Sequence, residues 1–412
     1  MQCCIAGGGP AGLMLGVLLA RAGVRVHVLE KHADFLRDFR GDTIHPSTLE
    51  IMSELGLLNE FLKLPHQKVQ RLTGQFGDLR LVIADFSHLP VKAPYIAMMP
   101  QWDFLDFLAD EGRRYANFSL ELQAEATGLI EDGGKVVGVK VRTAAGERDV
   151  RADLVVGADG RASVLRRRSG LAVEDLGAPM DALWFRLSRK PTDTEETQAF
   201  FDSGRIVVML NRGDYWQCAF VIAKGSLEEL QSKGLQGFRD TIGGLAPFED
   251  SRAAELQSWD DIKLLTVKVD RMPAWYREGL LFIGDAAHAM SPIGGVGVNL
   301  AVQDAVAAAN QLAVPLREGR VGLADLAAVQ SRRMLATRVV QWLQLTLQDN
   351  VIAPTLANTG PLQPPLFLRL MQRFPVLRRI PARLLGLGVR PEHVADVMRR
   401  PITTSASWPP VV

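Results

Sequence analysis

Three glycine-containing loops carry the residues whose types and spacing could do chemistry. The first, Gly7-Gly8-Gly9-Pro10-Ala11-Gly12, fits G-x-G-x-x-G between an apolar strand and a helix. In such a loop Gly7 permits the tight turn, Gly9 lets the backbone approach a pyrophosphate, and Gly12 lets the helix pack closely on the strand. Pro10 and Ala11 stand in this loop, and the N-terminus of the helix behind it offers free N–H groups and a positive dipole end to phosphates. Glu30 ends the next strand, where a carboxylate accepts hydrogen bonds from a ribose diol. A 2′-phosphate there would force two anions together, so Glu30 argues against NADP at this position. Lys31 and Ala126 join the candidate cofactor contacts.

The second loop is Gly157-Ala158-Asp159-Gly160-Arg161, and the third begins Gly284-Asp285-Ala286-Ala287-His288 and runs through Pro292 and Gly294 to Gly295-Val296-Gly297-Val298-Asn299. Both follow short apolar runs that read as buried parallel strands, whose carboxyl ends are where ligands bind in α/β sheets. Asp285 can accept from sugar-like hydroxyls, and the turn after Pro292 can present a helix N-terminus to an anionic ligand edge. Either aspartate, Asp159 or Asp285, would also serve as a helix cap, and His288 is expected to hydrogen-bond backbone.

The elements that must hold these loops read as follows. Gln2–Ala6 and Arg25–Glu30 are strands around the helix Leu13–Ala22, which Gly23 stops. Thr48–Leu55 and Phe104–Tyr115 have apolar residues at helical spacing, Lys135–Arg142 alternates as a strand, and Asp153–Val156 and Leu280–Ile283 are core strands. Val298–Leu312 is a helix. After about Gly170 the pattern changes to antiparallel strands at Ala182–Leu187, Arg205–Leu210 and Tyr215–Ile222, the last two joined by a hairpin at Asn211–Asp214.

Composition narrows the function. In 412 residues the net charge is +1, which gives no general electrostatic case for nucleic acid. Cys3, Cys4 and Cys218 supply neither a disulfide framework nor metal-site spacing, and Cys3 and Cys4 read as core thiols. No apolar run is long enough for a transmembrane helix and no signal peptide precedes the first motif, so a cytoplasmic setting is expected.

On the ordered trio of loops the chain resembles the FAD-dependent aromatic hydroxylases of the para-hydroxybenzoate hydroxylase type, the single-component flavoprotein monooxygenases, over roughly residues 1–313. Arg40 in Arg40-Gly41 matches the family's early arginine, Asp159-Gly160 its "DG" motif, and Gly284-Asp285 its "GD" motif. Pro292 to Asn299 matches the isoalloxazine-contacting turn, and Gln101 fits a position beside the cofactor where the family carries Arg or Gln. One departure is Gly295-Val296-Gly297, where the family often reads G-Q-G. Backbone contacts survive that change, whereas a glutamine side chain is lost. The resemblance implies an α/β fold: a discontinuous Rossmann-like FAD-binding domain of residues 1–75, 98–175 and 264–345. An antiparallel-sheet substrate domain (76–97 and 176–263) is inserted in it, and a helical segment (346–412) follows. It implies hydroxylation of an aromatic or similar electron-rich small molecule with O2 through a flavin C4a-hydroperoxide. NADH or NADPH would be a transient co-substrate, in keeping with the absence of a second G-x-G-x-x-G. The cofactor carries the chemistry, so no catalytic side chain is singled out. Other flavin reactions on the scaffold, a plain NAD dehydrogenase and a non-catalytic flavin-binding protein are the alternatives. Halogenation is disfavoured because no W-x-W-x-I-P stretch is present.

For the substrate, alternation puts Trp184 and Arg186 on one strand face, and Trp216, Cys218 and Phe220 on one face of another, each a candidate lining or core. His45 is the early histidine best placed for a pocket. From Leu366 to Arg390 the chain holds six arginines and no acid beside an apolar stripe interrupted by Pro375 and Pro381. That stripe is expected to pack on the flavin domain with its arginines solvated; contact with an anionic membrane is the alternative.

Overall fold

The computed structural model describes residues 2–36, 43–77, 79–244, 252–360 and 362–400. Residue Arg40, one of the expected cofactor contacts, lies outside them. The fold is α/β. A central six-stranded sheet runs in the order Tyr276–Arg277, Leu280–Phe282, Leu154–Gly157, Gln2–Ala6, Arg25–Glu30, Phe118–Leu122. All neighbours are parallel except the edge pair Tyr276–Arg277 with Leu280–Leu281. The inner strands are apolar on both faces because both are covered: helix Pro10–Arg21 packs on one, and the antiparallel strands Glu125–Asp132, Lys135–Thr143 and Gly146–Arg151 bring Val136, Val139, Val141 and Val150 into the same core. Cys3 and Cys4 sit in that core, and burial raises both thiols, Cys4 to about 12.

The first helix, Pro10–Arg21, is buried along nearly its whole length and lies beside the helix Gly297–Arg317. It can approach its sheet because of Gly16: a Cβ there would lie 2.9 Å from both Phe118 and Val28. Gly297–Arg317 runs further than the sequence indicates and includes Pro315. A second long helix, Leu323–Leu347, was not read from the sequence; it continues through a π turn, Gln348–Ile352, into Ala353–Ala357.

The second large sheet has seven strands: Lys263–Leu265, Met180–Ser188, Tyr215–Ala223, Arg205–Asn211, Gln198–Asp202, Arg71–Phe76, Leu79–Asp85. It is antiparallel apart from the pairing of Gln198–Phe201 with Thr73–Phe76. Strand Arg71–Phe76 thus belongs to this sheet, although the sequence division puts most of it with the flavin unit. Helices Leu227–Ser232 and Gly234–Gly243, also unread in the sequence, cover one face. On that face Phe185, Trp216, Cys218 and Phe220 pack with Phe238 and Ile242. The opposite face meets the rest of the molecule: Ile206 and Val221 pack with Ile293, Ile352 and Leu356.

The C-terminal segment folds in pieces, as helix Leu366–Arg373, a turn at Pro375–Arg378 and helix Arg379–Gly386. It rests on the edge of the seven-stranded sheet, with Leu368 and Met371 against Phe76 and Leu81, and Ala382 and Leu387 beside Ala84 and Phe86, and meets the flavin unit through Leu385, which packs on Met290, Val296 and Leu300. The expected apolar stripe is split. Leu366, Phe367, Leu370, Phe374 and Ile380 are exposed, because a platform two short helices wide can bury only one side.

Candidate functional site

The register of the central sheet assembles the three glycine loops. Ala6 pairs with Gly157, and Gly157 pairs with Phe282, so the three strands end in one row. Backbone bonds lace the exits together: Ala158 N–H to Ala6 O at 2.8 Å, Ile283 N–H to Gly157 O at 3.1 Å, and Gly7 N–H to Leu29 O at 2.8 Å. Loops far apart in sequence therefore face one crevice above the sheet.

In the first loop the glycines separate by role. A Cβ on Gly7 would lie 2.3 Å from Ala158 O, and one on Gly12 would lie 1.9 Å from Gly7 O, so both are demanded by packing. A Cβ on Gly9 would meet nothing within 4 Å. That side is open backbone in front of a helix whose first turn, Pro10-Ala11-Gly12, has no side-chain cap and no acid. Buried Glu30 folds its carboxylate toward the loop, accepting from Gly8 N–H at 2.9 Å and His32 N–H at 3.0 Å. Lys31 is exposed next to it, and Ala126 lies on the strand that follows Ala124, whose N–H bonds Glu30 O at 2.9 Å.

In the second loop Asp159 Oδ2 accepts from Val164 N–H at 2.9 Å and Leu165 N–H at 3.3 Å, so Asp159 does cap the short helix Val164–Arg168. Its other oxygen, Oδ1, is buried with no hydrogen-bond partner. Burial raises this carboxyl's pKa, against the hydrogen bonds from Ser163, Leu165 and Val164 that lower it. Arg161 reaches across to the third loop and pairs with Asp285 Oδ2 at 3.2 Å, both side chains about one-third exposed. Gly284 makes the turn with φ of 60°, wedged between Ala11 and Ala301.

Beyond Pro292 the turn is held by its neighbours. Gly294 and Gly295 have φ of 76° and 62°, and a Cβ on Gly295 would lie 2.4 Å from Thr43 Oγ1, the hydroxyl that donates to Gly295 O at 2.8 Å. The Asn299 side chain is committed to protein: Oδ1 accepts from His45 N–H at 2.9 Å and Thr48 Oγ1 at 2.7 Å, and Nδ2 donates to Thr43 O at 3.3 Å. Only backbone is left to meet a ligand here, at the uncapped start of Gly297–Arg317, where Gly297 again faces open space and Val296 and Val298 flank it.

Several residues that sequence reasoning missed build the frame of these loops. Asp304, fully buried, accepts from Gly284 N–H at 3.0 Å, His288 Nε2 at 2.6 Å and Arg333 Nε at 2.9 Å. Burial alone would raise this carboxyl, but His288 and Arg333 outweigh it and its pKa is lowered. His288 thus bonds a carboxylate, and not backbone as expected. On Leu323–Leu347 and its π turn a ladder of buried glutamines grips the segment before the flavin-type turn. Gln341 donates to Asp270 O and Ala289 O, and Gln344 exchanges bonds with Ser291 N–H, Ser291 O and Ile293 O. Gln348 donates to Ser291 Oγ. Their i, i+3, i+7 spacing was the available signal: three glutamines on one helical face.

The substrate candidates part ways. Trp216, Cys218 and Phe220 line the core beneath Phe238, not a pocket. Strand Tyr215–Ala223 is buried on both faces, so alternation could not choose between them. Trp184 and Arg186 stand on the other face, registered against Ala219 and Gln217. Arg186 lies over the Tyr215 ring, 4.9 Å from its centroid. With Trp102, Asp103, Arg212 and Tyr215 it lines a cavity of about 590 Å3 beside Leu36 and the start of helix Gln101–Arg113, at whose first position Gln101 stands. His45 is fully buried; Nδ1 donates to Leu385 O at 2.7 Å, and burial lowers its pKa to about 4. It ties the turn to the C-terminal segment and does not line the cavity.

The arrangement fits a dinucleotide flavin. Two uncapped helix starts offer N–H groups to anionic groups, two open glycines admit close approach, and one orphaned carboxylate oxygen needs a donor. The family model described as the FAD binding domain matches residues 1–343. A 6-methylpretetramide 4-monooxygenase of Streptomyces rimosus is 31% identical over 384 residues, covering 92% of this chain and 91% of that protein. Rifampicin monooxygenase of Streptomyces venezuelae is 31% identical over 314 residues, 73% of this chain and 61% of that protein. Among solved structures, PqsL of Pseudomonas aeruginosa in complex with 2-aminobenzoylacetate superposes with a TM-score of 0.74 at 23% identity, covering 87% of this chain and 98% of that one.

Proposed function

Since the chain belongs to the FAD binding domain family, we propose that it is an FAD-dependent monooxygenase that hydroxylates an aromatic or similarly electron-rich small molecule, with NADH or NADPH as transient reductant. The observation that carries this reading is the row formed by Ala6, Gly157 and Phe282, which brings three glycine loops to one crevice. Support for the monooxygenase reading comes from the relatives named as monooxygenases of 6-methylpretetramide and rifampicin.

Bound there, FAD supplies reduction by a nicotinamide and activation of oxygen. The chain's own residues do the rest. The open backbone at Gly9 and the N-terminus at Pro10–Gly12 would hold the pyrophosphate, Glu30 and Lys31 the adenosine end, and Asp159 and Asp285 hydroxyls of the linker. Arg161 neutralises Asp285 without occupying both of its oxygens. The backbone from Gly295 to Asn299 would place a helix dipole at the ring edge that becomes anionic on reduction. Gln101 and Arg40 complete the proposed cofactor contacts. The apolar sheet face of Ile206, Ala219 and Val221 excludes water above the turn, and Arg186 and Trp184 orient the substrate. On this reading the flavin unit is discontinuous and the seven-stranded sheet, beginning at Arg71, is the substrate unit.

Purified protein should be yellow and release FAD on denaturation. Asp285→Ala should weaken flavin retention by about 1–3 kcal/mol, about five- to 150-fold in affinity, whereas Asp285→Asn, which keeps an acceptor, should lose less. A panel of phenols and quinones is then screened for stimulated NADH and NADPH oxidation, each hit being checked for an oxygenated product. Protein that cannot be reconstituted with FAD sinks the cofactor reading. Flavin that is reduced and reoxidised without product from any substrate sinks the hydroxylase reading alone.

A further inference from the structure

The C-terminal segment presents a surface that packing does not explain. Between Leu362 and Arg390 there are six arginines and no acidic residue, in a chain whose net charge is only +1. One side is used: Leu368, Met371 and Ala382 are buried against the sheet edge. The other side holds Leu366, Phe367, Leu370, Phe374, Val376 and Ile380, between 44% and 71% exposed within fifteen consecutive positions. The remaining exposed large apolar side chains are spread over the rest of the described residues. Interleaved with the six are Arg369, Arg373, Arg379 and Arg383, all exposed, and none forms an ion pair among the described residues.

The prolines do not oppose an interfacial role. Pro375 opens its turn and Pro381 sits in the first turn of helix Arg379–Gly386, where a missing N–H costs nothing. The segment does not need to be one continuous helix, because the sheet beneath it holds the pieces in one layer.

The geometry points to this face of Leu366–Arg383 as a docking surface for a bilayer containing anionic lipid. Apolar side chains set among guanidinium groups that pair with no carboxylate among the described residues match a boundary where acyl chains begin just below phosphates. Charge argues against a second copy as the occupant: a two-fold contact through this patch would bring arginines against arginines. An isolated acidic groove on another protein would satisfy the charge but not require six exposed apolar side chains around it.

The test is flotation of the full-length, flavin-loaded protein with vesicles of phosphatidylcholine and phosphatidylglycerol in equal parts, against phosphatidylcholine alone. Binding is expected to the anionic vesicles, to weaken with added salt, and to be weak on the neutral ones. The double variant Arg369→Gln/Arg373→Gln should lose about 25-fold in vesicle affinity, about fivefold per charge. Leu370→Ser/Phe374→Ser should bind weakly at any salt concentration. Both change exposed side chains, so flavin content and thermal stability should match the parent. Absence of flotation at low salt overturns the proposal. So does flotation that neither variant weakens, or a dimer in solution that Leu370→Ser/Phe374→Ser dissociates while vesicles go unbound.

Discussion

At the scale of single residues, glycines and carboxylates divide the labour in ways that spacing alone foretold only in part. The demands on Gly7, Gly9 and Gly12 were legible, because each is set by neighbours within one strand–turn–helix unit. Asp159 and Asp285 were legible as a pair of chemically useful carboxylates, but the Arg161–Asp285 pair that joins their loops was not, since those two residues lie 124 positions apart. His45 was misplaced: its position in sequence, close to Arg40, says nothing of Leu385, which covers it. Its burial has a measurable sign. The folded state holds His45 neutral down to about pH 4, while the unfolded chain takes up a proton near its ordinary value of 6.5. Unfolded chains therefore bind more protons between these limits, and stability falls as the pH drops through that window, by up to about 3 kcal/mol from this group. Guanidinium unfolding at pH 7 and pH 4.5 should show a smaller difference for His45→Gln than for the parent. Equal differences would mean that His45 does not titrate on unfolding.

Among the elements, the parallel strands and the first helix were readable from apolar runs and glycine stops, whereas the frame behind the third loop was not. Asp304 and Arg333 stand on different helices 29 residues apart, and no local pattern pairs them. Likewise the helices Leu227–Ser232 and Gly234–Gly243 have few apolar residues, so the sheet face they cover looked like a pocket wall. The long helix Leu323–Leu347 works as a clamp whose glutamines fix the backbone from Ala289 to Ile293. Replacing Gln344 by Leu leaves Ser291 N–H, Ser291 O and Ile293 O without their partner in a buried place. The cost should be about 2–4 kcal/mol, discounted from about 1–3 per stranded group because nearby backbone can relax. Denaturant titration measures it, and Gln344→Glu, whose carboxylate would face Ser291 O and Ile293 O where a donor is needed, should fare no better. If Gln344→Leu unfolds like the parent, the clamp carries no load.

Over the whole molecule, the two sheets meet at the turn after Pro292, and the C-terminal pieces fasten both. Arg21, at the end of the first helix, shows how far such fastening reaches: it donates to Leu55 O, Met398 O and Arg399 O, and pairs with Glu111 at 3.2 Å. Arg21→Met would strand those three carbonyls, while Glu111 keeps Arg114 and the Tyr115 hydroxyl, a loss of about 2–4 kcal/mol. It should also raise hydrogen exchange around Asp396–Arg399 more than in the central sheet, and uniform exchange would count against a local role. The first helix thus owes its final partner to a residue 377 positions downstream. During synthesis, the earliest-made loop and helix emerge from the ribosome long before the carbonyl groups that complete them. Until then Arg21 holds only Glu111, Tyr115 and Leu55 O, and water takes the places of Met398 O and Arg399 O.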